Sequence, residues 1–169
     1  MSYIRYKRMT TNDYNKAVEN YADPIYRYAV SMMRNKMLAE DIVQETFAKV
    51  WVKHEQIQAD KIKSYLFTTA YHCALDSLKK EQKLSTLDGT DVAGQHENPH
   101  HFDLQAQLHE ALDKLPSIQK SVVLLRDYEG YSYEEIATIT ELNESQVKVY
   151  IFRARQTLKN YIRKIELIA

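Results

Sequence analysis

Val147, Ile151, Ala154, Leu158, Tyr161 and Ile165 recur at spacings of four, three, four, three and four, a period that only an α-helix places on one face. That face predicts a core. Two helix-start signals precede it. Ser132 stands three residues before Glu135, so its hydroxyl can cap the third helical amide while the carboxylate reaches back, and Asn143 repeats the arrangement with Gln146. Between them there is room for about two helical turns, with Glu141, Leu142 and Asn143 left to make the bend. A short capped helix, a tight bend and a long second helix form the pattern of a helix-turn-helix.

The first half of the chain shows the same period. A helix is expected around Asp13 to Tyr21, and Asp23-Pro24 restarts one, with Asp as cap and Pro at the first helical position. Ile25, Tyr28, Ala29 and Met32 continue it. After a turn near Asn35-Lys36, Leu38, Ile42, Val43, Val50 and Trp51 punctuate an acidic and amide face in the run MLAEDIVQETFAKVWVKH. A loop, HEQIQAD, follows. Asp60 is then expected to cap a third long helix, KIKSYLFTTAYHCALDSLKKEQKL, whose basic tail suits a helix C-terminus.

Residues 85–102, STLDGTDVAGQHENPHHF, lack periodic apolar residues and hold two of the three glycines, which predicts a flexible acidic linker. Beyond it, LQAQLHEALDKL forms a helix, Pro116 opens another through Glu129, and Gly130 stops it. The expected fold is all-α: two small helical domains, 1–84 and 103–169, joined by the linker, the second containing the helix-turn-helix. With 44% apolar residues and three each of Gly and Pro, the composition favours long helices over sheet. The single cysteine, Cys73, excludes an internal disulfide framework and suits a reducing compartment. No run approaches the roughly 18 consecutive apolar residues of a membrane span, so a soluble, cytoplasmic protein is expected.

A formal net charge of zero argues against a nucleic-acid binder, but the distribution of charge reverses that. From Leu84 to Asp113 there is no Lys or Arg, whereas Lys148, Arg153, Arg155, Lys159, Arg163 and Lys164 crowd the second helix with no acid between them. Local potential, not the sum, steers an anionic ligand. An ordinary surface helix can carry such a charge run, but the double cap and short first helix favour DNA. His96-Glu97-Asn98-Pro99-His100 matches the H-E-x-x-H string of zinc hydrolases, which works only with both histidines one turn apart on a helix. Pro99 denies that helix its hydrogen bond and local geometry, so no metal is expected. No paired carboxylates, nucleophile-base pair or phosphate loop appears, so neither an enzyme nor a cofactor is expected.

Three strings resemble the small, extracytoplasmic-function type of bacterial RNA polymerase sigma factor. Ala39 to Phe47, AEDIVQETF, is similar to the family's polymerase-binding helix. Ser64 to Ala70, with Ala74-Leu75-Asp76, is similar to its promoter-melting helix. Gly130 to Ala137 and Val147 to Arg155 are similar to its final domain. The resemblance implies core RNA polymerase and promoter DNA as partners, and makes an anti-sigma factor a candidate.

It also implies roles by position. Asp41, Gln44, Glu45, Phe47 and Trp51 fall where the family grips the clamp helices of the polymerase's largest subunit, though spacing alone leaves Phe47 and Trp51 open between interface and core. Gln56 and Ile57, in the loop, and Tyr65, Phe67, Tyr71 and His72, on the helix, match the segment that reads and melts the minus-10 element, where aromatic faces stack on unpaired bases. Here Tyr65 replaces the usual Trp, and Tyr71-His72 the usual Arg-Asn. Lys148, Val149, Phe152 and Arg153, with Gln146 and Arg155 beside them, match the minus-35 reader: Arg suits guanine, Gln adenine, Val and Phe the thymine methyl. Glu141 and Ser145 stand where small residues are customary, and Val149 where Ser is common. Two rival readings remain: a regulator that binds an operator without polymerase, which leaves the AEDIVQETF helix unexplained, and a protein-interaction module, a degenerate sigma factor that only sequesters a partner.

Overall fold

The computed structural model describes residues 7–89 and 104–168, and the side chains of all of these but Ile168. Two compact units divide the chain at Lys79 and Lys80. No helix among the described residues is long and apolar enough to cross a membrane.

The first unit is built on α1 (Thr11–Met33) packed against α2 (Lys36–Lys53). Thr10 caps α1 in a reciprocal box with Asp13, its hydroxyl accepting from the Asp13 amide at 3.1 Å and its own amide donating to the Asp13 carboxylate at 3.0 Å. The expected break at Asp23-Pro24 does not occur; Pro24 lies inside one continuous helix. Pro24 cannot bond the Asn20 carbonyl, but Asn20 is exposed, where water can take the bond. The stripe Ala17, Ile25, Tyr28, Ala29 and Met32 is buried on both sides of it, and that continuous contact outweighs the local fault. Arg34 ends α1 in the left-handed conformation, and Asn35 caps α2 by accepting from the Leu38 amide at 3.1 Å.

Two 3-10 turns, His54–Gln56 and Ala59–Lys61, lead into α3 (Ile62–Asp88). Asp60 therefore sits within a turn rather than capping the helix. The apolar face of α3, from Ile62 through Leu66, Phe67, Ala70 and Tyr71 to Ala74, is buried. The helix runs on through Asp88, past the boundary expected at Leu84. Most of the expected linker, with the His96 to His100 string, lies outside the described residues.

In the second unit α4 (Leu104–Asp113), α5 (Ser117–Val123) and α6 (Tyr133–Thr140) all pack on α7 (Glu144–Ile168). Their common core holds Leu112, Val122, Leu124, Leu125, Ile136, Ile139, Val147 and Ile151. The buried Lys120 reaches the Asp113 carboxylate at 2.8 Å, which keeps its charge paired. The helix expected to run from Pro116 to Glu129 instead widens after Val123 into a π-turn, Leu124–Tyr128. Its exit is closed by the Glu129 amide on the Leu124 carbonyl at 3.1 Å and the Tyr131 amide on the Leu125 carbonyl at 3.0 Å. Gly130 stops it at φ +75°, a left-handed turn open to glycine at little cost.

Candidate nucleic-acid interface

Both caps of the helix-turn-helix form. The Ser132 hydroxyl accepts from the Glu135 amide at 3.1 Å while the Ser132 amide donates to the Glu135 carboxylate at 2.8 Å. Asn143 and Gln146 exchange the same pair of bonds, at 2.8 and 3.0 Å. Between them Glu141 takes a left-handed conformation, φ 59°, to turn the chain. With Val147, Ile151 and Ala154 fully turned inward, Lys148, Val149, Phe152 and Arg153 are carried outward, Phe152 with 63% of its surface exposed. Towards the C-terminus the inward face thins, because Leu158, Tyr161 and Ile165 are only half-buried. There the Tyr161 hydroxyl donates to Glu110 at 2.9 Å.

Two expected minus-35 residues are already engaged. Gln146 spends its carbonyl oxygen on the Asn143 amide, and bidentate recognition of adenine needs that oxygen as well as the amide nitrogen. Arg155 forks onto Asp127 of the π-turn, Nε to Oδ2 at 3.1 Å and Nη2 to Oδ1 at 2.5 Å. That hydrogen bond raises the Arg155 pKa above its ordinary value. Conversely, Tyr133 was not expected. Its ring has the Arg126 guanidinium 4.7 Å and the Lys148 ammonium 5.7 Å from its centroid, so two cations from separate elements gather beside the first helix of the motif. Arg126 also donates to the Tyr131 carbonyl at 2.7 Å. In the sequence the only signal was an Arg just ahead of the motif.

The α2 surface sorts its candidates differently. Asp41, Gln44 and Glu45 are exposed, and Glu45 pairs with Lys49 one turn on at 2.6 Å. Lys49 also donates to the Cys73 sulfur at 3.6 Å. Its hydrogen bond to Glu45 raises the Lys49 pKa, and burial pushes the Cys73 thiol up. Phe47 is buried with Tyr14 edge-on at 6.2 Å, and its carbonyl accepts from the Tyr14 hydroxyl at 2.9 Å; it is core. Trp51 keeps 42% of its surface exposed. One side of it meets Tyr14 at 4.8 Å, and His54 stacks on it at 4.2 Å with its Nδ1 2.6 Å from the Trp51 carbonyl.

Of the six minus-10 candidates, three are core. Ile57, Phe67 and Tyr71 keep 4%, 1% and 5% of their surface, because each falls on the face packed within the first unit, so none offers a ring or edge to a base. Gln56 is exposed, and Tyr65 and His72 are half-exposed, seven residues apart and so on one side of α3. Thr68 and Thr69 lie between them on that side, their hydroxyls donating to the Ser64 and Tyr65 carbonyls at 2.8 Å. Helical spacing alone could have included both threonines.

The family description for Sigma-70 region 2 matches residues 17–84, and that for Sigma-70, region 4 matches residues 105–158. Over 151 residues the chain is 31% identical to the RNA polymerase sigma factor SigV of Bacillus subtilis, covering 89% of this chain and 91% of that one. The chain belongs to the sigma-70 family of RNA polymerase sigma factors, extracytoplasmic-function type. The sigma factor is also 31% identical to the ECF sigma factor SigE of Mycolicibacterium smegmatis, over 89% of this chain and 62% of that one. Among solved structures, the sigma factor RpoE of Bartonella quintana, crystallised with the anti-sigma factor NepR, aligns with a TM-score of 0.77 and 25% identity. That alignment covers 90% of this chain and 98% of the other. As a sigma factor the protein binds core RNA polymerase and directs promoter recognition and transcription initiation; such factors are not enzymes. The operator-binding and sequestering alternatives are thereby displaced.

Proposed function

We propose that the sigma factor divides its work among three surfaces. The exposed acid-amide stripe of α2, Asp41, Gln44 and Glu45, with the open edge of Trp51, grips the clamp helices of the polymerase's largest subunit. Gln56, Tyr65 and His72 read the minus-10 element and open it, stacking on bases as they unpair. Lys148, Val149, Phe152 and Arg153 read the minus-35 element in the major groove. The boundaries of labour follow the domains proposed, 1–84 and 103–169. The protein works in the cytoplasm, on a restricted set of promoters. An anti-sigma factor is a further partner, a reading supported by the likeness to RpoE in its complex with NepR.

The observation that carries this reading is the sidedness of α7: Val147, Ile151 and Ala154 close the core while Lys148, Val149, Phe152 and Arg153 stand free of it. Core polymerase supplemented with this protein, transcribing fragmented genomic DNA, is the test. Transcript 5′ ends should gather downstream of one shared pair of minus-35 and minus-10 sequences. Start sites identical to those of core alone would refute the division.

A further inference from the structure

An isolated antiparallel bridge between Arg8 and Gln58 joins the segment ahead of α1 to the loop that carries Gln56 and Ile57. Backbone hydrogen bonds flank it on both sides. The Met9 amide donates to the Ile57 carbonyl at 2.9 Å, and the Ala59 amide to the Lys7 carbonyl at 2.8 Å. With those bonds one residue either side, Arg8 and Gln58 make the antiparallel pair whose facing side chains lie closest. Extended residues alternate sides. Met9 and Ile57 accordingly turn inward, Met9 with 3% of its surface left, and Arg8 is exposed.

The segment is held at its other end too. Thr10 follows directly as the cap of α1, and Lys7 lies 3.6 Å from the Asp13 carboxylate in the same box. The hydrogen bonds from Thr10, with Lys7 adding its charge, hold the Asp13 carboxyl below its ordinary range. Lys7 is thus turned to Asp13, and Arg8 is the cation presented beside the loop. The exposed charges in and flanking the loop are mixed, Lys53, Lys61 and Lys63 against Glu55 and Asp60, so an added guanidinium shifts the balance towards a polyanion.

We propose that Lys7–Met9 is a working part of the minus-10 site: its backbone and the Met9 side chain set the shape of the Gln56–Ala59 loop, and Arg8 contacts a phosphate of the promoter strand passing that loop. The proposal rests on the minus-10 reading above. It extends that reading to residues ahead of the region 2 match, which begins at residue 17.

The test uses holoenzyme reconstituted from core polymerase and the full chain, bound to fork-junction DNA with a single-stranded minus-10 element across a salt series. Arg8→Gln should weaken binding severalfold and reduce the slope of log affinity against log salt by about 0.7, with Arg8→Lys restoring the slope. Affinity for core should not move. Met9→Ala should change the minus-10 sequences chosen from a randomised promoter library without changing the minus-35 choice, and Met9→Leu should restore the parent profile. Tyr65→Ala and His72→Ala serve as controls for the underlying reading. If those controls bind and melt as the parent does, the minus-10 reading falls and takes the proposal with it. If they fail while Arg8→Gln keeps affinity and slope, the proposal alone is overturned. Weaker binding with an unchanged slope, or loss of minus-10 and minus-35 choice together in Met9→Ala, would show a folding role only and overturn it as well.

Discussion

Arg155, in the middle of α7, is clasped by Asp127 from the π-turn that precedes the helix-turn-helix, through two hydrogen bonds of 3.1 and 2.5 Å. The two residues are 28 positions apart in the chain, so the pair fastens the recognition helix to the element that introduces the motif. Both side chains remain partly exposed, at 50% and 36%, which limits what the pair contributes to stability. Arg155→Ala and Asp127→Ala should each cost at most about 1 kcal/mol, with a double-mutant coupling of the same order, measured by urea unfolding. The minus-35 base preference of Arg155→Ala should match the parent. A changed preference at a single base position would return Arg155 to the readout.

Arg153 carries a different expectation, since it stands one turn beyond Val149 on the exposed side of α7. Losing a bidentate guanine contact costs about 1–3 kcal/mol at one position, so Arg153→Ala should relax choice at one or two minus-35 bases. Lys159, further from the helix start, should act on backbone phosphate. Lys159→Ala should weaken all promoters alike and flatten the salt dependence. Transcription from single-base minus-35 variants at several salt concentrations separates the two; uniform, sequence-blind losses in both would assign Arg153 to phosphate.

On α2, reversing the charge at Asp41 together with Gln44→Ala alters side chains that are exposed and so leaves the core of the first unit intact. The double variant should unfold at the parent's temperature and fail to co-purify with core polymerase. Retained co-purification would move the interface off this stripe.

Glu141 is one of two described non-glycine residues with positive φ. A left-handed backbone costs a side-chain-bearing residue about 1–2 kcal/mol, against roughly 0.5–1 kcal/mol of chain entropy lost by glycine. Glu141→Gly should therefore stabilise the second unit by about 0.5–1 kcal/mol, read as a rise in its thermal midpoint. A lower midpoint would mean that the Glu141 side chain contributes more than the backbone strain removes.

What the sequence determined by itself was local. The caps at Ser132 and Asn143 join residues three apart, and the inward row Val147, Ile151 and Ala154 follows from helical period alone, so both were legible before any fold was known. The family strings were legible for the same reason, being contiguous. Tertiary structure decided whatever depends on residues brought together from afar. Pro24 is a helix break when read locally, yet α1 continues through it, with Ala17 before it and Ile25, Tyr28, Ala29 and Met32 after it buried in the first unit. Phe67 and Tyr71 carry the same aromatic chemistry as Tyr65, and only the packing around α3 sorts them, two into the core and one towards solvent. The fork of Arg155 on Asp127 and the bridge of Arg8 to Gln58 have no period or spacing to announce them. Long-range pairs are fixed by how helices pack, and packing is a property of the whole unit rather than of any stretch within it.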